Sequence, residues 1–212
     1  MNKLANIREH YHKGALKRSE LHKDPFEQFN TWMDEAIKAE CNLPTAVTLA
    51  TVSKDGMPNC RIVLLKEVCD GGFVFFTNYN SEKGMELNTS NKAALNFFWT
   101  ELERQVRIRG TVERVASQKS DEYFQSRPRE SQLGAWASDQ SEVVNDNQEL
   151  MEKYSQLELK YKDEMIPRPE HWGGYVVKAQ SIEFWQGRAN RMHDRFQYKL
   201  ENDNWTIRQL AP

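Results

Sequence analysis

The chain is short of the residues that build covalent or metal-held scaffolds. Cys41, Cys60 and Cys69 are its only cysteines, an odd set without CxxC spacing. No disulfide framework or cysteine zinc site is expected, and they read as free thiols in a reducing compartment. The five histidines, His10, His12, His22, His171 and His193, make no HExxH pair, so no metal site is expected. None of the ten glycines belongs to a GxGxxG fingerprint or a GxxxxGK(S/T) loop, and no G-x-S-x-G elbow is present. Rossmann, P-loop and elbow-type hydrolase sites are thereby excluded, and any phosphate site must be assembled from side chains. Nor is there an excess of one charge: 29 Lys and Arg against 31 Asp and Glu leave a net charge of -2, without the basic field that nucleic acid requires. No apolar run is long enough to span a membrane. The opening residues, with Arg8, Lys13, Lys17 and Arg18, lack the apolar core of a signal peptide. The expectation is a soluble, cytoplasmic protein that binds neither membrane nor nucleic acid.

What is plentiful is aromatic: six Trp, seven Tyr and ten Phe favour a β-rich core or a ligand pocket over disorder. Residues 1–23 are polar and mostly basic, a composition that predicts a mobile N-terminal arm or lid. Asp24-Pro25-Phe26-Glu27 is a helix start, with Asp as N-cap and Pro at the first helical position. It predicts a helix to about residue 40, with Phe26, Phe29, Trp32, Met33, Ala36 and Ile37 on its apolar face. Strand-like runs follow at 46–53, 60–68 and 73–78, separated by glycine turns. A short helix is predicted over 81–89 with Ser81 as N-cap, then strands at 93–100 and 104–115. Residues 117–165 read as helical, ending at Pro167 and Pro169. Strands at 175–185, 195–200 and 205–210 close the chain, the last pair joined by an Asn-Asp turn. The fold class is α+β, an antiparallel barrel or sandwich with surrounding helices, and residues 24–212 are expected to form a single domain.

Three segments gather chemistry. Residues 61–66 (RIVLLK) place Arg61 and Lys66 at the two ends of an apolar run, where the plainer reading is two snorkelling edge charges. In residues 123–132, Tyr123, Arg127 and Ser131 recur every fourth residue as on one helical face, although Pro128 must break or start a helix there. Hydroxyl, guanidinium and hydroxyl together would grip a phosphate dianion; the competing reading is a solvated face. Residues 184–196 hold Trp185, Gly187, Arg191, His193 and Arg195. On an extended segment the last three would point the same way, a set suited to an anionic, planar ligand; the plainer reading is a solvated hairpin with a stray histidine.

These segments, with SRPRESQLGAW at 126–136, FWQG at 184–187, RMHDR at 191–195 and the closing QLAP, occur in an order and spacing that resemble the pyridoxine/pyridoxamine 5′-phosphate oxidase family across nearly the whole chain. The resemblance implies an FMN-binding split barrel and a homodimer with the flavin at the subunit interface. It implies oxidation of pyridoxine 5′-phosphate and pyridoxamine 5′-phosphate by O2 to pyridoxal 5′-phosphate in vitamin B6 metabolism. By the same resemblance Arg61, Ile62, Val63, Leu64, Leu65, Lys66, Phe76, Thr77, Lys83, Gln105, Gln140, Ser141, Trp185 and Arg195 would bind FMN. Lys66, Tyr123, Arg127 and Ser131 would hold the substrate phosphate. Arg191 and His193, the catalytic candidates, would lie with Met192 against the pyridine ring, and Arg8 and Tyr11 would fold over the substrate. Departures are Phe76 where relatives often carry Tyr, Glu82 where they often carry Arg, and Gln209 in place of Arg. Two other readings stand beside this one: a split-barrel flavin reductase or deazaflavin enzyme, and a non-catalytic carrier of flavin or pyridoxal phosphate.

Overall fold

A computed structural model describes residues 3–6, 10–69 and 71–212. Its helices are α1 (Pro25–Lys38), α2 (Glu82–Ser90), α3 (Ser117–Ser126), α4 (Arg129–Ala137) and α5 (Asn147–Lys160). Its strands are β1 (Ala46–Val52), β2 (Pro58–Leu64), β3 (Glu67–Cys69), β4 (Gly72–Asn78), β5 (Lys92–Trp99), β6 (Arg104–Arg114), β7 (Trp172–Gln186), β8 (Asp194–Glu201) and β9 (Asn204–Gln209). They run β2-β1-β5-β6-β7-β4-β3, with β8 and β9 added on β7. The class is α+β, with the antiparallel split-barrel sheet and surrounding helices that the sequence predicts. Among the described residues no helix is long and apolar enough to cross a membrane. The chain divides into two compact units, one of Met1–Leu49, Ala94–Gly110 and Ala179–Pro212, the other of Ala50–Ala93 and Thr111–Lys178.

In the first unit, Asp24 caps α1 by accepting from the Phe26 amide at 2.6 Å, with Pro25 supplying a pre-set φ. The helix buries Phe29, Trp32, Met33 and Ala36. Phe29 packs edge-on against Phe97 at 5.2 Å, and Trp32 against Phe184 at 5.1 Å. Ile37, expected on that face, is exposed, because it follows Ala36 around the helix and falls beyond the buried stripe. The β8–β9 hairpin turns through Asn202 and Asp203, whose φ values of 49° and 62° are those a tight two-residue turn requires. The Tyr198 hydroxyl donates to the His22 carbonyl, and burial pushes its pKa up to about 12.

In the second unit, β4 is buried along its length and pairs with β7 from Gly72↔Lys178 to Asn78↔Trp172. Where one strand was expected over 60–68 there are two. β2 ends at Leu64, Lys66 donates its amide to the Val74 carbonyl at 2.8 Å, and β3 then hairpins onto β4. Ser81 caps α2. The expected helical stretch 117–165 is three helices. Pro128 cannot continue α3 and instead precedes the first residue of α4, while Asp146 caps α5 through the Gln148 and Glu149 amides. Phe124, Leu133, Tyr161, Ile166 and Trp172 form the core beneath these helices.

Candidate functional site

A cavity of about 790 Å³ opens in the second unit, within the ~300–1,000 Å³ usual for small-ligand sites. Arg61, Lys66, Lys83 and Arg127 line it, together with Tyr123, Ser131, Thr77 and Gln140, and among the described residues no Asp or Glu does. Ile62, Val63 and Leu64 from β2 supply apolar wall. Phe76, Tyr123 and Trp172 form a ring stack on another side, Phe76 lying 3.9 Å from Tyr123 and 5.5 Å from Trp172.

The four cations are held differently. The Arg61 guanidinium contacts Glu86 at 3.1 Å and also reaches the Thr51 hydroxyl. Burial pushes the Glu86 carboxyl up, but hydrogen bonds from Thr51, Asn59 and Arg61, with the Arg61 charge, outweigh it and leave the pKa lowered. Lys83, buried on the first turn of α2, donates to Gln140 Oε1 at 2.9 Å and Ser81 Oγ at 3.2 Å. Burial, then the Arg61 charge, lowers its pKa. Arg127 sits at the α3–α4 break with its guanidinium 4.5 Å over the Trp172 ring. Its NH1 is buried without a hydrogen-bond partner among the described residues, and burial pushes its pKa down. A buried donor left unmatched costs about 1–3 kcal/mol. This donor, in a cavity lined by four cations and, among the described residues, no acid, fits a ligand that combines phosphate with flat rings.

A second cluster lies in the first unit. The Trp185 and His193 rings are 4.6 Å apart, and Tyr11 meets both edge-on at 5.5 and 5.6 Å. Tyr11, Asn96, Phe98, Gln105 and Trp185 line a cavity of about 270 Å³, and Asn96 carries a buried Oδ1 without a hydrogen-bond partner among the described residues. The Arg188 backbone amide donates to His193 Nδ1 at 3.1 Å. Nδ1 is therefore the acceptor, and the neutral ring carries its proton on Nε2. Burial, then the charges of Arg191 and Arg195, hold the His193 pKa below its ordinary value, with Asp194 opposing them. Arg195, opposite Trp185 across the β7–β8 ladder, pairs with buried Glu183 at 2.8 Å and donates to the Ala211 carbonyl at 2.7 Å.

The structure brings Tyr123, Arg127 and Ser131 to one cavity, though not by a continuous helical face, since Arg127 and Pro128 leave the helix between them. Arg61, Ile62, Val63, Leu64, Lys66, Phe76, Thr77, Lys83 and Gln140 line the same cavity. Leu65 is buried and is not among its walls, and Ser141 accepts from the Glu82 amide at 3.2 Å without lining it. Tyr11, Gln105, Trp185, His193 and Arg195 belong to the first unit. The expected alternation of Arg191, His193 and Arg195 along an extended segment is not observed. Ala189–Arg191 forms a 3-10 turn in which Asn190 and Arg191 have φ of 57° and 61°, and the strand begins only at Asp194. Arg191 and Met192 are exposed, and Arg8 lies outside the described residues. Trp172 and the carboxylates Glu86, Glu103 and Glu183 were not legible as site residues. The Trp has no motif around it, and each Glu stands in an ordinary strand, helix or turn pattern. Only a rule that buried arginines need carboxylate partners would have pointed to Glu86 and Glu183.

Residues 33–161 match the family described as pyridoxamine 5′-phosphate oxidase, and residues 172–212 match the pyridoxine 5′-phosphate oxidase C-terminal dimerisation region. Relatives named pyridoxine/pyridoxamine 5′-phosphate oxidase include that of Salinibacter ruber, 52% identical, and that of Thermosynechococcus vestitus, 54% identical; both matches cover 100% of each chain. Among solved structures, PhzG from Burkholderia lata, in complex with tetrahydrophenazine-1-carboxylic acid, superposes with a TM-score of 0.88 at 26% identity over 93% of this chain and 98% of its own. An FMN-binding protein related to pyridoxamine 5′-phosphate oxidase from Nostoc punctiforme shares the fold, with a TM-score of 0.71 at 12% identity over 91% of this chain and 100% of its own. By sequence over its whole length and by fold, the chain belongs to the pyridoxine/pyridoxamine 5′-phosphate oxidase family.

Proposed function

We propose that the protein is an FMN-dependent oxidase that converts pyridoxine 5′-phosphate and pyridoxamine 5′-phosphate to pyridoxal 5′-phosphate, with O2 as oxidant and H2O2 as product. The amine substrate also takes up water and releases ammonia. The observation that carries this reading is the cavity lined, among the described residues, by four cations, one with a buried unmatched donor, and by no carboxylate. FMN, when bound, supplies the hydride acceptor that no side chain provides and returns the electrons to O2.

Arg61, Lys83, Thr77 and Gln140 are assigned to FMN, with Trp185, Gln105 and Arg195. Lys66, Tyr123, Arg127 and Ser131 are assigned to the substrate phosphate. Their task is to anchor the dianion so that the ring is held in one orientation, a positioning effect that contributes to the rate gain of a bound substrate. His193 and Arg191 are assigned to the pyridine ring. Because Nδ1 already accepts from the Arg188 amide, His193 offers a donor at Nε2. It orients the substrate and does not take a proton at Nδ1 unless that amide bond breaks. Arg8 and Tyr11 are assigned to a lid, and the working form to a homodimer with FMN at the interface, a reading supported by the match of residues 172–212 to a dimerisation region.

The test is an absorption spectrum of the purified protein, followed by anaerobic addition of pyridoxine 5′-phosphate. Flavin bands that bleach and return with air are expected. A yellow protein that does not bleach would discard the substrate assignment and favour a reductase, and a protein that takes up no FMN would discard the cofactor.

A further inference from the structure

Glu103, buried in the first unit, hydrogen-bonds to the residues that follow Tyr11 and to the residues on either side of the end of the Trp185 strand. It precedes β6 with a φ of 54°, an unusual conformation for a side chain other than glycine or asparagine. Its Oε2 accepts two consecutive backbone amides, from His12 at 2.7 Å and Lys13 at 2.9 Å. Its own carbonyl accepts from the Gly187 amide at 2.8 Å and from Gln186 Nε2 at 3.3 Å. One residue therefore ties the segment that carries Tyr11 to the end of the strand that carries Trp185. The seat between them is close: a Cβ on Gly187 would lie 2.8 Å from Tyr11 Cγ. Farther along, Leu16 donates to Asp194 at 3.0 Å, and Arg188 donates to the Gly14 carbonyl at 3.1 Å. Those contacts hold residues 14–16, and Glu103 holds the two residues that follow Tyr11.

We propose that Glu103 is a positioning residue for substrate binding. It sets Tyr11 edge-on to Trp185 and His193 through the amides of residues 12 and 13. This rests on the lid role assigned to Tyr11 above. The carboxylate acts through the chain direction of residues 11–13, whose amides it holds at 12 and 13. Its loss should leave residues 14–16 anchored and release residues 11–13.

The experiment compares Glu103→Ala, Glu103→Gln, Tyr11→Ala and the Tyr11→Ala/Glu103→Ala double variant as FMN-loaded proteins. Glu103→Ala should raise the KM for pyridoxine 5′-phosphate about tenfold while kcat changes little. It should also speed trypsin cleavage after Lys13. Glu103→Gln keeps an uncharged oxygen acceptor and should fall between wild type and Glu103→Ala in both readouts. The double variant should be no worse than Tyr11→Ala, because residues acting through one another do not add. Additive KM effects, or a cleavage rate unchanged in Glu103→Ala, would overturn the proposal. If the alanine variant does not fold, a glutamine variant equal to wild type in KM and cleavage would do so. A wild type without turnover would sink the functional reading instead, and the cleavage rates alone would then decide whether Glu103 anchors the segment.

Discussion

Replacing Arg127 by Ala separates what this side chain does for folding from what it does for binding. In the fold, the guanidinium contributes a stack over Trp172 at 4.5 Å, worth about 0.5–2 kcal/mol. Against this stands a buried NH1 without a hydrogen-bond partner among the described residues, a debit of about 1–3 kcal/mol. The two nearly cancel, so Arg127→Ala should leave the urea midpoint close to wild type. Binding has no such offset. Loss of a charge-assisted phosphate contact costs roughly 1.5–3 kcal/mol, which raises the apparent KM for pyridoxine 5′-phosphate about ten- to hundredfold. Arg127→Lys should recover part of this, since it restores the charge without the planar fork or the stack. The assay is steady-state kinetics with pyridoxine 5′-phosphate and with unphosphorylated pyridoxine, on protein whose flavin content has been measured. The penalty should be confined to the phosphorylated substrate. Equal KM values for variant and wild type, or an equal loss on both substrates, would refute the assignment. Loss of flavin would move Arg127 to the cofactor's phosphate.

Two further outcomes follow from the geometry. His193 has a pKa below its ordinary 6.5, through burial and then the neighbouring arginines. The folded state thus binds fewer protons than the unfolded chain between the lowered value and 6.5, and stability from this group rises with pH across that window. A rate that needs the neutral ring should persist below pH 6.5 and fall only through the lowered value; a kcat/KM profile with an acid limb at or above the ordinary value, abolished in His193→Gln, would contradict this. Gly84→Ala would put a Cβ 2.2 Å from the Tyr79 carbonyl oxygen and 2.6 Å from its carbon, both backbone. Helix α2 must then shift, at a cost of about 1–3 kcal/mol in urea unfolding, and Lys83 shifts with it; an unchanged midpoint would show that the helix gives way freely.

The parts of the fold set by local chemistry were legible in the sequence. Asp24-Pro25 started α1 at the expected residue, Ser81 capped α2, and Asn202-Asp203 turned the last hairpin. Each depends on a side chain acting within a few residues of itself. The break at Leu65–Lys66 was not legible, because the apolar run 61–65 has no turn former and the strand is divided by pairing with β4. The same limit applies at the candidate site. The types Arg, Lys, Tyr and Ser marked the cavity wall, whereas Trp172 beneath Arg127 and Glu86 beside Arg61 join it only through tertiary packing. The turn at 189–191 escaped the period-2 argument because Asn190 and then Arg191 adopt positive φ there; Asn favours that conformation but Arg does not.

The partner of His193 Nδ1 is a peptide N–H, not a side chain, and this has a consequence for reading mutational scans and family divergence at position 188. Nineteen of the genetically encoded residues carry that N–H, so the tautomer survives any of them, and an alanine scan would score Arg188 only for its guanidinium. Proline alone deletes the donor, and it also demands a φ near −65° where Arg188 holds −136°. A control over the histidine's proton is thus written into the main chain, where drift in side-chain identity leaves it intact and a residue-by-residue screen does not detect it.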